Sequence, residues 1–295
     1  MLKGSLVALI TPMEEDGSID YSGLEKLIDF HVENQTDGII SVGTSGESAT
    51  LDIDQQLEVI GKTVEMAAGR IPVIAGTGGN STSEAVELTS RAAQLEVHAC
   101  LLVVPYYNKP TQHGLYQHFE YIAETVDIPQ ILYNVPGRTA LDMNNDTVAD
   151  LSRIPNIVGI KDATGDISRV AEFVSRCGPD FALYSGDDAT TLEFITAGGH
   201  GCISVTANVA PQLMHEMCIA AIAGDLARAR ELNNQLAPLH AALFLESNPI
   251  PAKWALYEMG YATKGIRLPL TAFSGKYHDQ LRAAMAHAHV SAQII

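Results

Sequence analysis

Lys161 is the residue of this sequence with the clearest potential for chemistry. It follows the apolar run 157–160 and is itself followed by turn-forming residues. Such a run predicts a buried strand, and an ammonium at its end is costly unless it is paired or neutralised. Burial lowers the pKa of a lysine, and a neutral amine is a nucleophile. The position therefore suggests covalent catalysis through a Schiff base, whereas a lysine that snorkels or pairs with Asp162 is the structural alternative.

Hydroxyl, phenol and guanidinium groups follow other apolar runs in the same way. Thr44 and Ser45 follow one such run, where backbone N–H groups and hydroxyls can hold a carboxylate or cap the next helix. Tyr133 can move protons beside a lysine adduct, or it can be a half-buried core tyrosine. Arg138 suits bidentate recognition of a carboxylate, with a solvated loop charge as the alternative.

The elements that would position these groups are eight strand-like runs with helical patterns between them. They cover residues 6–11, 38–43, 73–77, 100–105, 130–135, 157–163, 182–186 and 201–206. Strict alternation of strand and helix implies parallel strands with right-handed crossovers, and eight units favour a closed (β/α)8 TIM barrel. A doubly wound sheet with a nucleotide site would need a G-x-G-x-x-G turn, and Gly76-Thr77-Gly78-Gly79 has the wrong spacing.

The pattern changes near the C-terminus, where helical segments follow one another without a strand. They cover residues 211–223, 226–245, 251–259 and 278–289. These segments are longer than the single helix that follows the last strand of a barrel. We therefore expect a C-terminal helical extension that packs on the barrel or on a neighbouring subunit. The predicted division is a catalytic barrel over residues 1–224 and the extension over residues 225–295.

The active sites of such barrels lie at the C-terminal ends of the strands, so the candidate groups should converge there. The later strands also deliver the Tyr106-Tyr107 pair, which could pack a loop or an interface, and Gly186 with two aspartates that are typical of a helix N-cap. The last strand delivers the backbone near Ile203.

Composition narrows the classes of partner. The formal net charge of -17 argues against nucleic acid or an anionic membrane surface as a partner. The four cysteines form no C-x-x-C pair and the ten histidines show no ligand spacing, so neither a metal nor another cofactor is expected. The N-terminal apolar stretch is too short for a signal peptide and no run could span a bilayer, so a reducing cytoplasm fits best.

Four motifs together resemble the dihydrodipicolinate synthase family of class I pyruvate-dependent aldolases. They are Gly43-Thr44-Ser45-Gly46-Glu47-Ser48-Ala49-Thr50, Pro105-Tyr106-Tyr107-Asn108-Lys109-Pro110, Tyr133-Asn134-Val135-Pro136-Gly137-Arg138-Thr139 and Gly159-Ile160-Lys161. The similarity runs nearly end to end and includes Asn248-Pro249-Ile250-Pro251. Each motif alone is moderately specific to the wider superfamily, whereas their joint order and spacing are highly specific.

The resemblance implies that Lys161 forms an imine and then an enamine with pyruvate, and that the enamine adds to aspartate semialdehyde. The product would be 4-hydroxy-tetrahydrodipicolinate, at the first committed step of diaminopimelate and lysine biosynthesis. The resemblance also implies a homotetramer built as a dimer of dimers. The residues that match the family's proton relay are Tyr133, Thr44 and Tyr107, the last supplied across a subunit interface.

The resemblance further assigns the binding of the substrates. Ser45 stands where the family often has threonine, and it keeps the hydroxyl for the pyruvate carboxylate. The Ile203 backbone matches the other pyruvate contact, and Gly186 is carried over as a binding position. Arg138 matches the residue that binds the semialdehyde carboxylate, and it distinguishes this subgroup from the sialic-acid lyases.

Members that lysine inhibits bind it in a cleft between paired subunits. The matching positions here are Ser48, Ala49, Asn80, Glu84 and Tyr106. Two positions that are often histidine in inhibited members are Ile53 and Gln56 here. Ile53 has no side-chain hydrogen-bonding group, so we expect lysine inhibition to be weak or absent.

Three alternatives stay open at this point. One is another class I pyruvate aldolase, of the N-acetylneuraminate or keto-sugar-acid lyase type, against which Arg138 and the paired tyrosines argue. Another is a non-catalytic barrel that binds a small carboxylate, although a binding scaffold has no need of Lys161. A phosphate-recognising aldolase would use the last two strand loops, where His200 is the basic residue that the sequence offers.

Overall fold

The computed structural model describes residues 2–291 and contains one closed barrel of eight parallel strands, in which each strand pairs with the next and β8 pairs with β1. The strands are β1 (Gly4–Ala8), β2 (Gly38–Ser41), β3 (Val73–Gly76), β4 (Ala99–Val103), β5 (Gln130–Asn134), β6 (Ile157–Asp162), β7 (Ala182–Ser185) and β8 (Gly201–Ser204).

Helices connect the strands and continue beyond the barrel. The helices are α1 (Tyr21–Glu33), α2 (Ile53–Ala67), α3 (Thr82–Ala93), α4 (Gln112–Thr125), α5 (Pro136–Thr139), α6 (Asn145–Leu151), α7 (Ser168–Arg176), α8 (Thr191–Thr196), α9 (Pro211–Ile222), α10 (Leu226–Ala242), α11 (Ile250–Glu258) and α12 (His278–His287). Short 3₁₀ turns follow β2, β7 and β8 and precede α12.

The strands are apolar on both faces because both faces are buried. The side chains inside the barrel form one cluster, which includes Leu6, Ile40, Ile74 and Tyr133. The opposite faces pack against the surrounding helices in a second, larger cluster. This double burial explains why the strands read as continuous apolar runs rather than as alternating patterns.

The predicted (β/α)8 barrel is confirmed, and all eight strand-like runs contain a strand. The strands end one to three residues earlier than the predicted runs, because residues such as Leu9, Val42 and Val104 stay apolar and buried although they already belong to the loops. β1 begins at Gly4, two residues before the predicted run, and pairs there with Gly201.

The C-terminal helices are also confirmed. α10 packs against α9, the last helix of the barrel, and against α12, and α11 also packs against α12. The α9–α10 contact thus joins the extension to the barrel. α9 ends at Ile222 and α10 begins at Leu226. The division between residues 224 and 225 stays a prediction.

Among the described residues, no helix combines the length and apolar character needed to cross a membrane.

Candidate active site

Lys161 lies inside the barrel near the end of β6, where 5% of its surface is exposed. Its ammonium Nζ lies 4.3 Å from the centre of the Tyr133 ring, and the two residues pair in register between β5 and β6. The structural alternative for Lys161 was an ion pair with Asp162. Asp162 instead forms an ion pair with Arg169 at 3.3 Å. Within residues 2–291, Lys161 has no carboxylate within ion-pair distance. A buried lysine in this setting has the environment of a nucleophile.

A cavity of about 120 Å³ opens at this end of the barrel. Six of the residues predicted from the sequence line it together, namely Thr44, Ser45, Tyr133, Arg138, Lys161 and Gly186. Lys161 and Arg138 bring two positive charges to this cavity, whereas Asp187 brings one negative charge. An anionic substrate therefore meets a local cationic environment in a protein whose net charge is -17.

The loop that carries Thr44 and Ser45 has an unusual backbone. Val42 and Glu47 both adopt φ of 58°, a left-handed conformation that few non-glycine residues take. Gly46 lies so close to the strand end that an added Cβ would meet Val42 Cα at 2.9 Å. Thr11 also donates its hydroxyl to the Gly46 carbonyl at 2.7 Å. The surrounding structure must hold this loop in place.

Glu47 is the anchor of the same loop. Its side chain is fully buried and forms an ion pair with the Lys253 ammonium of α11. The second carboxylate oxygen accepts the Arg267 backbone N–H at 3.2 Å. Burial lowers the pKa of Lys253, and the Glu47 carboxylate opposes that shift. The C-terminal extension thus holds the loop through a buried charge pair.

Asn248 makes a second connection between the extension and the site. Its side-chain Nδ2 donates to the Ser45 hydroxyl at 2.9 Å, and its backbone carbonyl accepts from Arg138 Nη2 at 3.2 Å. Asn248 also lines the cavity. One residue that follows α10 therefore contacts groups on both the Ser45 loop and the Arg138 turn.

Gly186 gives Lys161 the room it occupies. A Cβ at this position would meet Ala163 Cβ at 2.7 Å and Lys161 Cε at 2.9 Å. Its neighbour Asp187 caps the following turn, as predicted, by accepting from the Thr190 N–H at 3.2 Å, and it also lines the cavity.

The loop after β8 is fixed from the same side. The buried Asp188 carboxylate accepts the backbone N–H groups of Val205 at 3.0 Å and Thr206 at 2.8 Å. Ile203 is buried on the inner face of the barrel, in the same cluster as Tyr133, whereas Val205 is the residue of this segment that lines the cavity.

A charge network supports the outer side of the strand ends that carry Tyr133 and Lys161. Arg169 forms ion pairs with Asp162 at 3.3 Å and with Asp142 at 2.8 Å. The Asn134 side chain also donates to Asp142 at 2.7 Å. Burial raises the pKa of Asp162, and Arg169 partly offsets the shift.

Tyr107 does not reach the cavity of its own chain. It is 91% exposed and has φ of 73°. The neighbouring Tyr106 is also exposed, and its carbonyl accepts from Asn80 Nδ2 at 3.2 Å.

The positions of the candidate lysine site lie at or near the surface, with Glu84 and Ala49 exposed and Ser48 half-buried. Gln56 donates to the carbonyls of Ser48 at 3.2 Å and Leu51 at 3.0 Å. Ile53 packs on the hydrophobic core.

Sequence reasoning gave no separate role to Asn248 and Phe244, which also line the cavity. Phe244, which follows α10, is 49% exposed there, and the sequence singles out Asn248 only as a member of the Asn248-Pro249-Ile250-Pro251 motif. The signal for Asn248 was its place in the Asn-Pro-Ile-Pro motif, whereas Phe244 had none. In the part of the chain that the structure describes, no group of three or more His, Cys, Asp or Glu side chains could hold a metal ion.

Comparison with known proteins identifies the family. The family model described as the dihydrodipicolinate synthetase family matches residues 1–288, so the chain belongs to this family. The 4-hydroxy-tetrahydrodipicolinate synthase of Thioalkalivibrio sulfidiphilus is 60% identical over 291 residues, which cover 99% of each chain.

Solved structures agree with this assignment. The chloride-inhibited dihydrodipicolinate synthase from Acinetobacter baumannii, complexed with pyruvate, superposes with a TM-score of 0.97 at 53% identity, covering 99% of this chain and 100% of that one. The enzyme from Cyanidioschyzon merolae, solved with lysine bound, has a TM-score of 0.95 at 40% identity and covers 98% of this chain and 99% of its own.

Proposed function

We propose that this protein condenses pyruvate with L-aspartate 4-semialdehyde to give 4-hydroxy-tetrahydrodipicolinate, the first committed step of diaminopimelate and lysine biosynthesis. The observation that carries the proposal is a buried Lys161 that opens, without a carboxylate partner among the described residues, into a cavity shared with Tyr133, Thr44 and Ser45. The names of the relatives and the pyruvate complex of the Acinetobacter baumannii enzyme support the same reaction.

In this reaction the Lys161 amine attacks the ketone carbon of pyruvate, and loss of water gives an imine. Removal of a methyl proton then gives the enamine, whose carbon forms a bond to the aldehyde carbon of the semialdehyde. The aldehyde oxygen takes up a proton and becomes a hydroxyl. The substrate's own amine finally displaces Lys161 from the imine carbon, which closes the ring and frees the enzyme. No cofactor takes part in these steps.

The proton transfers belong to Tyr133 and Thr44, together with Tyr107 from a neighbouring subunit. The Lys161 Nζ lies 4.3 Å from the centre of the Tyr133 ring, and a phenol carried on that ring suits proton transfer to and from the carbinolamine. Tyr107 is exposed and turned away from its own cavity, which suits a contribution to the site of a second copy. We further propose the homotetramer, a dimer of dimers, that the family resemblance implies, and light scattering of the purified protein tests this assembly.

Binding of the two carboxylates is divided between the two sides of the cavity. Ser45 and the backbone at Ile203 hold the pyruvate carboxylate, and Gly186 leaves the space that Lys161 needs. Arg138 binds the carboxylate of the semialdehyde, because a guanidinium offers paired donors to two oxygens. We also propose that the protein works in the cytoplasm, and its four free, buried cysteines support a reducing compartment.

Reductive trapping tests the covalent step. Addition of pyruvate followed by borohydride should fix one pyruvate on Lys161, which peptide mass mapping locates. An unmodified Lys161 would refute the mechanism. The untrapped enzyme, supplied with pyruvate and either aspartate semialdehyde or sugar-derived aldehydes, should turn over the semialdehyde, and a preference for sugars would indicate a related aldolase instead.

Regulation by lysine should be weak or absent. Ser48, Ala49, Asn80, Glu84 and Tyr106 occupy the positions of the family's lysine site, but the nearby Ile53 offers no hydrogen bond. Gln56 uses its amide donors on the Ser48 and Leu51 carbonyls. Titration of lysine against the initial rate tests this, and inhibition at micromolar lysine, which corresponds to about 8 kcal/mol of binding, would contradict it.

A further inference from the structure

The Ser45 hydroxyl has a defined partner inside the protein. Asn248 Nδ2 donates to Ser45 Oγ at 2.9 Å, and the exposed fractions of the two residues are 5% and 1%. Both residues line the cavity that holds Lys161. In the part of the chain that the structure describes, this is the one hydrogen bond of the Ser45 side chain.

The direction of this hydrogen bond determines what the hydroxyl can offer to a ligand. Because the Asn248 amide donates, Ser45 Oγ accepts, and its own proton stays free to be donated. A carboxylate only accepts hydrogen bonds, so a hydroxyl with a free proton is the form that binds it. If the hydroxyl instead donated its proton to a protein group, only its lone pairs would face the carboxylate, and the two groups would repel each other.

The two residues are held firmly enough for this direction to matter. The Ser45 loop is tied to α11 by the Glu47–Lys253 ion pair and to the Arg267 backbone by Glu47. Asn248 lies just before α11, and its carbonyl accepts from Arg138. The segment from Asn248 to Lys253 therefore meets the loop at two points.

We propose that Asn248 is a positioning residue that orients the Ser45 hydroxyl toward the pyruvate carboxylate. This inference rests on the proposed function, since it assumes that Ser45 binds pyruvate. Asn248 acts through its side chain on the pyruvate side of the cavity. Its contact with Arg138 is made by the backbone carbonyl, which substitution of the side chain leaves in place.

A double-mutant cycle between positions 248 and 45 tests the proposal. Asn248→Ala should raise the pyruvate KM about tenfold, the loss expected for one hydrogen bond to a charged group, while kcat and the semialdehyde KM stay within about twofold. In the Ser45→Ala background the same substitution should change the pyruvate KM less than about twofold, because the hydroxyl that it orients is gone. Equal effects in both backgrounds would overturn the proposal.

Two controls separate this result from general damage. Ser247→Ala changes the exposed neighbouring residue and should leave both KM values unchanged. Thermal unfolding verifies that each variant folds. If Asn248→Ala does not fold, Asn248→Ser replaces it in the cycle, because that hydroxyl keeps the buried position polar but is too short to reach Ser45 Oγ.

The proposal and the proposed function fail in different ways. A wild-type protein that forms no pyruvate adduct refutes the function itself. A wild-type protein that forms the adduct but does not condense the semialdehyde still allows the cycle, because the half-saturation of the borohydride-trapped adduct reports pyruvate binding. Normal pyruvate binding by a folded Asn248→Ala variant refutes the role of Asn248 alone.

Discussion

The two ends of the barrel contain cavities of different size and chemistry. The cavity at the carboxyl ends of the strands has a volume of about 120 Å³ and contains a lysine, an arginine, hydroxyls and a phenol. The cavity at the opposite end is larger, about 350 Å³, and is lined mainly by apolar residues that include Leu2, Ile74, Ile131 and Ala182. The smaller cavity is the one that contains the reactive side chains. The convergence of these side chains therefore identifies the active site better than cavity volume does.

Tyr184 marks the division between the two ends. It pairs in register with Lys161, but it lines the larger cavity, and its hydroxyl donates to the Leu2 carbonyl at 2.8 Å. Burial raises the pKa of this phenol above its usual range. The two tyrosines that pair in register with Lys161 therefore lie at different ends of the barrel: Tyr133 lines the polar cavity, whereas Tyr184 lines the apolar one.

The largest expected difference between the two ends of the barrel follows from removal of the nucleophile Lys161. Lys161→Met should lower kcat by on the order of 10³-fold or more and abolish the trapped pyruvate adduct, because the covalent route is lost. Tyr184→Phe, at the same barrel level but facing the other cavity, should retain the adduct and kcat within about twofold. Steady-state kinetics and mass mapping measure both, and a catalytically active Lys161→Met would contradict the assignment.

The next largest effect concerns how the polar end is held together. Lys253→Met should reduce the free energy of unfolding by about 3–5 kcal/mol, because it leaves the Glu47 carboxylate buried without its partner. The double variant Glu47→Gln with Lys253→Met should recover much of this loss. Urea denaturation measures this loss, with Lys62→Met as the control, since the Lys62–Glu65 pair is exposed and its removal should change stability by less than about 1 kcal/mol.

Tyr133→Phe should have a smaller effect that is restricted to chemistry. Loss of the phenol removes a proton carrier next to Lys161, so kcat should fall about 10²-fold while the fold stays intact. The borohydride-trapped adduct should still form, but more slowly. Rapid-quench trapping measures its rate, and an unchanged rate of imine formation would show that the proton comes from elsewhere.

The smallest effect is a pH dependence of stability near the opposite end, where His31 contacts Thr36 just before β2. Burial lowers the pKa of His31 from 6.5 to about 3. The unfolded chain therefore binds more protons between these values, so stability should fall as pH decreases below about 6.5, by roughly 1.4 kcal/mol per pH unit for this residue. Burial also lowers the pKa of His118, to about 4, which adds to the slope in the same direction.

Urea denaturation between pH 7.5 and pH 5 measures this slope. His31→Gln should reduce it, whereas His113→Gln, at an exposed position, should not. An identical slope in the wild type and His31→Gln would contradict the assignment to His31.

The barrel and the central lysine were predictable from the sequence because their signals are local. Each buried strand is a short apolar run, and Lys161 stands at the end of one of them. Asn248 and Phe244 were not predictable in the same way, since they reach the cavity from a helical region that has no strand to place them. The Glu47–Lys253 pair joins residues far apart in the chain, and neither has a local pattern that names its partner.

The dependence of the polar end on Asn248, Lys253 and Arg267 has a consequence for biosynthesis of the protein itself. These residues leave the ribosome after Lys161 and after every strand of the barrel, by several seconds at about 5–20 residues per second. The unfinished chain therefore carries its reactive amine before the groups that fix Glu47 and the Ser45 hydroxyl exist. The groups that organise the active site are therefore complete only when the last helices have been made.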